Sequence, residues 1–181
     1  QGRPQAAPDP VAIRLIEAAA LCNDAVLDSE GQPATGDPLE IALLGMARAA
    51  GIERPHLLAG RPETGRHPFD SDTRLMATIH ADADAAIVAV KGAPEAVLPL
   101  ASRIASGDGD RAMTEELRTQ WREQTSALGR SGLRVLAIAE RTMPLAGADA
   151  LHDLTFLGLV ALQDPPRQGV PEAIEACKHA G

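Results

Sequence analysis

Hydrophobic and polar positions along the chain predict a set of short strands. Residues 85–90 are entirely apolar, which is typical of a strand buried on both faces. Apolar and polar residues alternate over residues 74–80, so this stretch is predicted to form a half-buried strand. Three further strands are predicted from runs of apolar or alternating residues, at 25–28, 131–139 and 154–162.

Three other stretches have the periodicity of amphipathic helices. Their apolar residues fall on one helix face at residues 11–22, 38–50 and 115–128. Trp121 lies on the inner face of the third helix, which predicts a position in the core rather than in a binding site. Each helix follows a residue whose side chain can accept a hydrogen bond from the first turn, namely Asp9, Asp37 and Thr114.

The segments between these elements are predicted to be loops, turns and short helices. Residues 52–67 are loop-like, with one short helix around 54–59. A helix is predicted over residues 94–104, bent or ended near Pro99, because proline disrupts a helix interior. The acidic segment 106–110 superficially resembles a calcium loop, but it lacks the ligand spacing of one and is predicted to be a turn.

Composition narrows the class of protein. The chain has 181 residues, of which 45% are apolar and 23% charged, and this is sufficient for one good hydrophobic core. Its net charge of −8 argues against a nucleic-acid partner, which requires a basic surface. No apolar run approaches the roughly 20 residues of a membrane helix, and no signal peptide is recognised.

Cysteines and histidines do not predict a metal centre or a disulfide framework. The two cysteines, Cys22 and Cys177, lie in helical patterns and are predicted to be buried free thiols. The five histidines are dispersed and never fall at ligand spacing. We therefore expect no metal site.

Candidate binding chemistry lies at the end of the central apolar run. Lys91 and Gly92 follow the run directly, and Pro94 and Glu95 suit the first turn of a helix. A cation beside helix amides favours anionic or polar ligands, and Gly92 removes a side chain where a ligand could come close. The alternative is an ordinary strand-to-helix turn that carries a surface lysine.

Five motifs, in order along the chain, carry a family resemblance. Lys91-Gly92-Ala93-Pro94-Glu95 resembles the KGAPE signature of the nucleotide-binding domain of P-type cation-transporting ATPases. Residues 35–43 resemble the family's GDPxExAL motif, residues 69–78 its F-S-x-x-x-K/R-x-M stretch, and residues 131–139 its G-x-R-x-L-A-x-A strand. Residues 164–167 resemble its DPPR element. The set is most similar to the type II group and implies an α+β fold, a twisted antiparallel sheet flanked by helices.

The same resemblance implies roles for individual side chains. Glu40 would accept a hydrogen bond from the exocyclic amine of adenine, Phe69 would stack on the base, and Lys91 would hold the adenosine end. Arg74 would point into the pocket and Arg134 would reach the phosphates. The whole predicted nucleotide site consists of Glu40, Phe69, Arg74, Lys91, Gly92, Ala93, Arg134 and Leu136.

Simpler interpretations of three of these residues stay open. Glu40 could be a first-turn acid that favours the helix dipole, Phe69 a core residue, and Arg134 a surface arginine on an edge strand. Ser71 departs from the arginine that some family members carry, which would weaken a phosphate contact there.

The resemblance divides the chain into three parts. Residues 1–10 are a flexible lead-in, residues 11–163 an ATP-binding domain, and residues 164–181 a hinge followed by the start of the phosphorylation domain, with a short helix at 170–179. Two consecutive prolines cannot continue a sheet, so they make the hinge a stiff boundary. The hinge residues are Asp164, Pro165, Pro166 and Arg167.

The implied function is that of one domain in a cation pump. The domain would bind ATP, with Mg²⁺ bound through the nucleotide, and present the γ-phosphate to an aspartate in a separate domain. The DKTGT stretch that carries this aspartate is missing, so no catalytic residue is assigned and the isolated chain is predicted to bind nucleotide without turnover. Its partners would be the phosphorylation, actuator and transmembrane domains of an integral membrane protein. The fragment itself would be a soluble, monomeric piece of the cytoplasmic part.

Two other classes of protein remain as alternatives. A soluble nucleotide hydrolase would need its own nucleophile and metal-binding carboxylates, and no such cluster is visible in the sequence. A regulatory or interaction module that has lost nucleotide binding would not respond to ligand. The transported ion is chosen by membrane residues that the sequence does not contain.

Overall fold

The structure, a computed structural model, describes residues 9–28, 30–144 and 150–163, together with residues 175, 177 and 178. Apolar runs form the middle strands of a sheet, and amphipathic stretches form the helices that cover it. The helices are α1 (Pro10–Leu21), α2 (Pro38–Ala49), α3 (Arg54–Gly60), α4 (Pro94–Val97) and α5 (Glu115–Arg130). The strands are β1 (Val26–Leu27), β2 (Pro33–Thr35), β3 (Glu63–Asp70), β4 (Leu75–Asp82), β5 (Ala85–Gly92), β6 (Ala101–Ile104), β7 (Arg111–Ala112), β8 (Arg134–Pro144) and β9 (Leu154–Leu162).

Seven of these strands form one sheet, in the order β3-β4-β5-β8-β9-β6-β7. Neighbouring strands are antiparallel except β6 and β9, which run parallel. The predicted α+β fold with a sheet flanked by helices is therefore confirmed, and the sheet is antiparallel as expected apart from this one parallel pair. The chain passes through β7, α5 and β8 between β6 and β9, and such a crossover allows the second strand to run in the direction of the first.

The sheet is covered on both faces, and each face has its own hydrophobic core. One core contains Val88 and Phe156 and lies under α4 and α5, while the other contains Met76 and Ala89 and lies under α1 and α2. Because β5 contributes to both cores, its predicted burial on both faces is confirmed. Trp121 contacts Phe156 edge to face, with 4.9 Å between ring centroids, which confirms its predicted core position.

The prediction of a half-buried strand was wrong for β4. Leu75 packs in one core and Met76 in the other, and the polar residues Thr78 and His80 are buried as well. The ring nitrogens of His80 lie 2.8 Å from the Thr78 hydroxyl and 3.1 Å from the Arg61 carbonyl. Burial lowers the pKa of His80, because the charged imidazole loses its hydration. Polar side chains that hydrogen-bond to each other can thus lie on a buried face of β4, although the alternating sequence pattern predicted that this face would be exposed to solvent.

Two segments, the predicted loop at residues 52–67 and the predicted helix at residues 94–104, differ in the structure from what the sequence predicts. The short helix around residues 54–59 is confirmed as α3, but the rest of the predicted loop contains β3, an exposed edge strand that pairs with β4. An edge strand held by backbone pairing needs few apolar residues, so it leaves no alternating pattern. The predicted helix over 94–104 is also too long, because α4 has four residues and is followed by a 3₁₀ turn at Leu98–Leu100 and then by β6.

All three predicted helix caps are confirmed. The capping side chains accept hydrogen bonds from backbone amides two or three residues later, in the pairs Asp9–Val11, Asp37–Leu39 and Thr114–Leu117. These contacts satisfy amides that have no partner inside their own helix.

The Thr114 cap is open to a direct test, because α5 has no fully buried residue to compensate for its loss. Thr114→Ala is expected to lower the free energy of unfolding by about 1 kcal/mol, the usual contribution of an N-cap. Urea denaturation followed by circular dichroism measures this. Thr119→Ala makes the same chemical change at an exposed position inside α5 and should not destabilise the protein. Equal stabilities of the two variants would contradict a capping role.

The two cysteines differ in their surroundings. Cys22 is completely buried, as predicted, but Cys177 is exposed, so the prediction of a second buried thiol was wrong. The hinge at residues 164–167 lies outside the described residues, as does most of the helix predicted at 170–179. Of the helices in the described ranges, none is long and apolar enough to cross a membrane.

Candidate functional site

One cavity of about 470 Å³ lies where the start of α2 meets the ends of β4, β5 and β8. Strand register explains its position, because Lys91 is paired with Met76 on one side and with Ile138 on the other. All eight residues of the predicted nucleotide site line this cavity, and their roles toward a ligand stay predictions. Five further residues line the cavity and were not predicted as site residues, namely Asp24, Asp37, Leu39, Met76 and Val135.

An ion pair between Lys91 and Glu40 forms the buried part of the cavity wall. The Lys91 side chain is 8% exposed and that of Glu40 13%, and the ammonium donates directly to Glu40 Oε1. The other carboxylate oxygen of Glu40 accepts a hydrogen bond from the Asp24 amide at 3.3 Å. Charges this deep require partners, and each of these two residues is the partner of the other.

The turn at Asn23 and Asp24, directly after α1, contacts Glu40. Asn23 is fully buried, and its side-chain amide donates to the Glu40 carbonyl at 3.0 Å while its side-chain oxygen accepts from the Ala25 amide at 2.8 Å. Arg54 on α3 donates to the Ala20 carbonyl at 3.0 Å and to the Asn23 carbonyl at 2.5 Å. Burial lowers the pKa of Arg54. The guanidinium thus caps the end of α1 and fixes the turn that contacts Glu40.

Phe69 is the exposed aromatic side chain of the cavity. Its exposed fraction is 63%, which excludes the alternative that it is a core residue. It lies near the end of edge strand β3, and lines the cavity together with the ion pair. A large apolar side chain left in water beside a cavity is available to a ligand.

Arg74 adopts a backbone conformation that is uncommon for a residue with a side chain. Its φ is 53°, and this left-handed turn is held by hydrogen bonds from the Arg74 amide to the Asp70 carbonyl at 2.7 Å and from the Ala93 amide to the Arg74 carbonyl at 2.9 Å. Its guanidinium pairs with the Glu95 carboxylate at 2.7 Å on the surface. Such conformations persist where the surroundings enforce them, often at functional sites.

Close packing between two strands requires a glycine at position 92, and this requirement was not predicted from the sequence. A Cβ atom on this residue would lie 2.6 Å from the Arg74 carbonyl oxygen and 2.7 Å from the Leu75 Cβ. The missing side chain therefore allows β5 to approach the start of β4, in addition to any space it leaves for a ligand. The helix after it has only four residues, so its dipole is small and Lys91 dominates the positive charge at this strand end.

Arg134 and Leu136 bring the start of β8 to the cavity, where Leu136 is partly buried and Arg134 is exposed. Cys22 lies deeper, and its thiol contacts the Met76 carbonyl at 3.4 Å. Burial raises the pKa of Cys22 to about 11, so it is a neutral thiol at physiological pH.

The family model and the similar proteins both indicate the same family for this chain. Residues 12–169 match the family described as P-type ATPase, cytoplasmic domain N. The chain is 36% identical over 170 residues to calcium-transporting ATPase 1 of Bacillus cereus, covering 92% of this chain and 19% of that protein. It is 34% identical over 170 residues to mouse calcium-transporting ATPase type 2C member 1, covering 92% of this chain and 17% of that protein. It is also 36% identical over 175 residues to the probable cation-transporting ATPase F of Mycobacterium bovis, with 91% and 19% covered. The chain thus spans about a fifth of the length of these relatives.

Proposed function

The chain belongs to the family of P-type ATPase cytoplasmic N domains, and we propose that its cavity binds ATP and presents the γ-phosphate to an aspartate in a separate domain. The observation that carries the proposal is the exposed ring of Phe69 on the same cavity as the buried Lys91–Glu40 pair. An aromatic face binds a planar base, and a buried charged pair offers directional hydrogen bonds to its edge.

The cavity fits the two ends of a nucleotide in different ways. Its volume of about 470 Å³ lies in the range of small-molecule sites. Glu40 still has lone pairs to accept the exocyclic amine of adenine, since each carboxylate oxygen has one protein donor and room for another. Arg74 and Arg134 supply cationic groups for phosphate oxygens, which bind guanidinium well. Mg²⁺ would arrive on the nucleotide and neutralise phosphate charge.

The chain's own contribution is binding and delivery rather than chemistry. Phosphoryl transfer needs a nucleophile held in line with the γ-phosphate, and the sequence contains no DKTGT motif to provide one. We expect this chain to release no phosphate from ATP. Its partners would be the other domains of a cation-transporting membrane protein, in which it would be a cytoplasmic domain. The relatives named as calcium-transporting are the basis for proposing a cation as cargo.

Titration with nucleotides tests the proposal. We expect Mg-ATP to shift the backbone amide NMR signals of Glu40, Phe69 and Lys91 in a saturable way, with a dissociation constant on the order of 0.1–1 mM, or about 4–5.5 kcal/mol. AMP should shift the same signals, and GTP should bind more weakly. Absence of any shift up to several millimolar Mg-ATP would refute the proposal and favour a regulatory module. Release of phosphate by the purified chain would favour a nucleotide hydrolase instead.

The surface pair of Arg74 and Glu95 leads to a further prediction. Glu95 competes with nucleotide phosphates for the Arg74 guanidinium, so Glu95→Gln should increase the affinity for Mg-ATP. The gain is expected to be about two- to threefold, because exposed ion pairs are weak. Titration at low and high salt measures it, and added salt should reduce the difference. Glu53→Gln removes the carboxylate of the partly exposed Arg48–Glu53 pair, whose residues do not line the cavity, and is the matched control. Equal affinities of Glu95→Gln and wild type would show that Glu95 does not compete.

A further inference from the structure

The carboxylate proposed to read the base belongs to a residue held by the turn after α1, in which Asp24 lines the cavity and Asn23 does not. Glu40 has two connections to the turn after α1, through the Asn23 side chain to its backbone and through the Asp24 amide to its carboxylate. Asn23 is 0% exposed, so its position is set entirely by the protein around it. Whatever fixes this turn therefore also fixes the Glu40 carboxylate.

Arg54 holds this turn through hydrogen bonds from its guanidinium to two main-chain carbonyls. Its two donors reach the carbonyls of Ala20 and Asn23, which lie three residues apart at the end of α1. The Ala20 carbonyl would otherwise lack a partner within the helix, because the last carbonyls of a helix have no amide to accept from, and the Asn23 carbonyl belongs to the turn that follows α1. Arg54 is absent from the lining of the cavity, so any effect it has on a ligand must pass through the turn.

We propose that Arg54 is a positioning residue for base selection, which acts by holding the Asn23–Asp24 turn so that Glu40 favours a base with an amine at its edge over one with an oxo group. The inference rests on the proposed function, since it assumes that Glu40 meets the base. A correctly placed carboxylate accepts a hydrogen bond from an amine and repels a carbonyl oxygen. A displaced carboxylate loses this distinction, while the stacking and phosphate contacts are unaffected.

Lysine cannot replace arginine in this arrangement. The guanidinium holds several N–H donors in a fixed planar fork, whereas an ammonium is a single point of charge on a flexible stem. Arg54→Lys therefore keeps the charge but is expected to lose one of the two carbonyl contacts. The turn then gains freedom, and the Asp24 amide no longer holds the Glu40 carboxylate in one place.

The test compares ATP with ITP, which carries an oxo group in place of the adenine amine. In the full chain, Arg54→Lys should reduce the ratio of ATP to ITP affinity by about five- to tenfold, as expected for a weakened hydrogen bond to a charged group. The affinity for inorganic tripolyphosphate should not change. Arg48→Lys makes the same replacement at a partly exposed position of α2, the helix that carries Glu40, and should leave the ratio at its wild-type value, because Arg48 does not line the cavity. The amide signal of Asp24 should shift in Arg54→Lys without ligand and should not shift in Arg48→Lys.

The outcomes separate this inference from the proposed function. Wild-type chain that binds no ATP would refute nucleotide binding and the inference with it. If the wild-type chain prefers ATP to ITP and folded Arg54→Lys has the same ratio of affinities, only the role of Arg54 is overturned. An equal fall in affinity for ATP, ITP and tripolyphosphate would also overturn it, because that result indicates general destabilisation. If Arg54→Lys does not fold, Arg54→Gln serves in its place, with the same fall in ratio expected.

Discussion

Lys91→Met is expected to lower the free energy of unfolding by about 3–5 kcal/mol, because it leaves the Glu40 carboxylate buried without its partner. If the proposed function is correct, the same variant should bind ATP far more weakly than wild type, since the cavity loses its buried cation and the carboxylate proposed to read the base loses its partner. Urea denaturation gives the first quantity and nucleotide titration the second. Lys178→Met is the matched control, because this lysine is exposed and should contribute little to stability.

A double-mutant cycle separates the ion pair from the packing of its side chains. Glu40→Leu alone should also destabilise the protein, because it leaves Lys91 buried and unpaired. The variant with both replacements should be more stable than the sum of the two single effects predicts, with a coupling energy of about 2–3 kcal/mol, because no uncompensated charge remains. Additive effects of the two replacements would contradict a buried pair and place both groups in water.

The fold was predicted well where burial and sequence pattern agree. Residues 85–90 lie in the centre of the sheet with a core on each face, so every position had to be apolar and the pattern was unambiguous. The strand β3 was not predicted for the opposite reason. It is an exposed edge strand, which is defined by its pairing with β4 and not by its side chains. The strand β6 was not predicted because the helix that starts at Pro94 was extended over it. Nothing in the local sequence indicates its pairing with β7 and β9.

The candidate site was predictable as a set of residues but not as a network. The motifs that carry Glu40, Phe69, Lys91 and Arg134 come from four separate parts of the chain, and sheet register brings them to one cavity. Direct contact between Lys91 and Glu40 could not be inferred, since nothing in the sequence gives the distance between α2 and β5. Arg54 could not be identified from the sequence, because a partly buried arginine that binds main-chain carbonyls leaves no motif.

Stability and binding are combined in some residues of the cavity and separate in others. Lys91 is buried and paired, so its replacement affects the folded state before any ligand is present. Phe69 is exposed and lies at the end of an edge strand, so the folded state gains little from its ring. A side chain of the second kind reports on binding alone, which makes it the cleaner probe of the proposed function.

Phe69→Ala is accordingly expected to reduce the affinity for Mg-ATP by about 1–3 kcal/mol, the value of one base stacked on an aromatic side chain. Its free energy of unfolding should stay within about 0.5 kcal/mol of wild type, as for other exposed positions. Nucleotide titration and urea denaturation of the same samples measure both quantities, and Phe69→Trp should retain binding because it keeps an aromatic face.

Val26→Ala is the control for Phe69→Ala, since Val26 is 49% exposed and does not line the cavity. It should change neither affinity nor stability appreciably. Tripolyphosphate, which has no base, should bind Phe69→Ala and wild type equally. Wild-type ATP affinity in Phe69→Ala would exclude stacking on this ring and leave base recognition to the Lys91–Glu40 pair alone. A selective loss of ATP binding would instead place the base on Phe69, because no change in folding could then account for it.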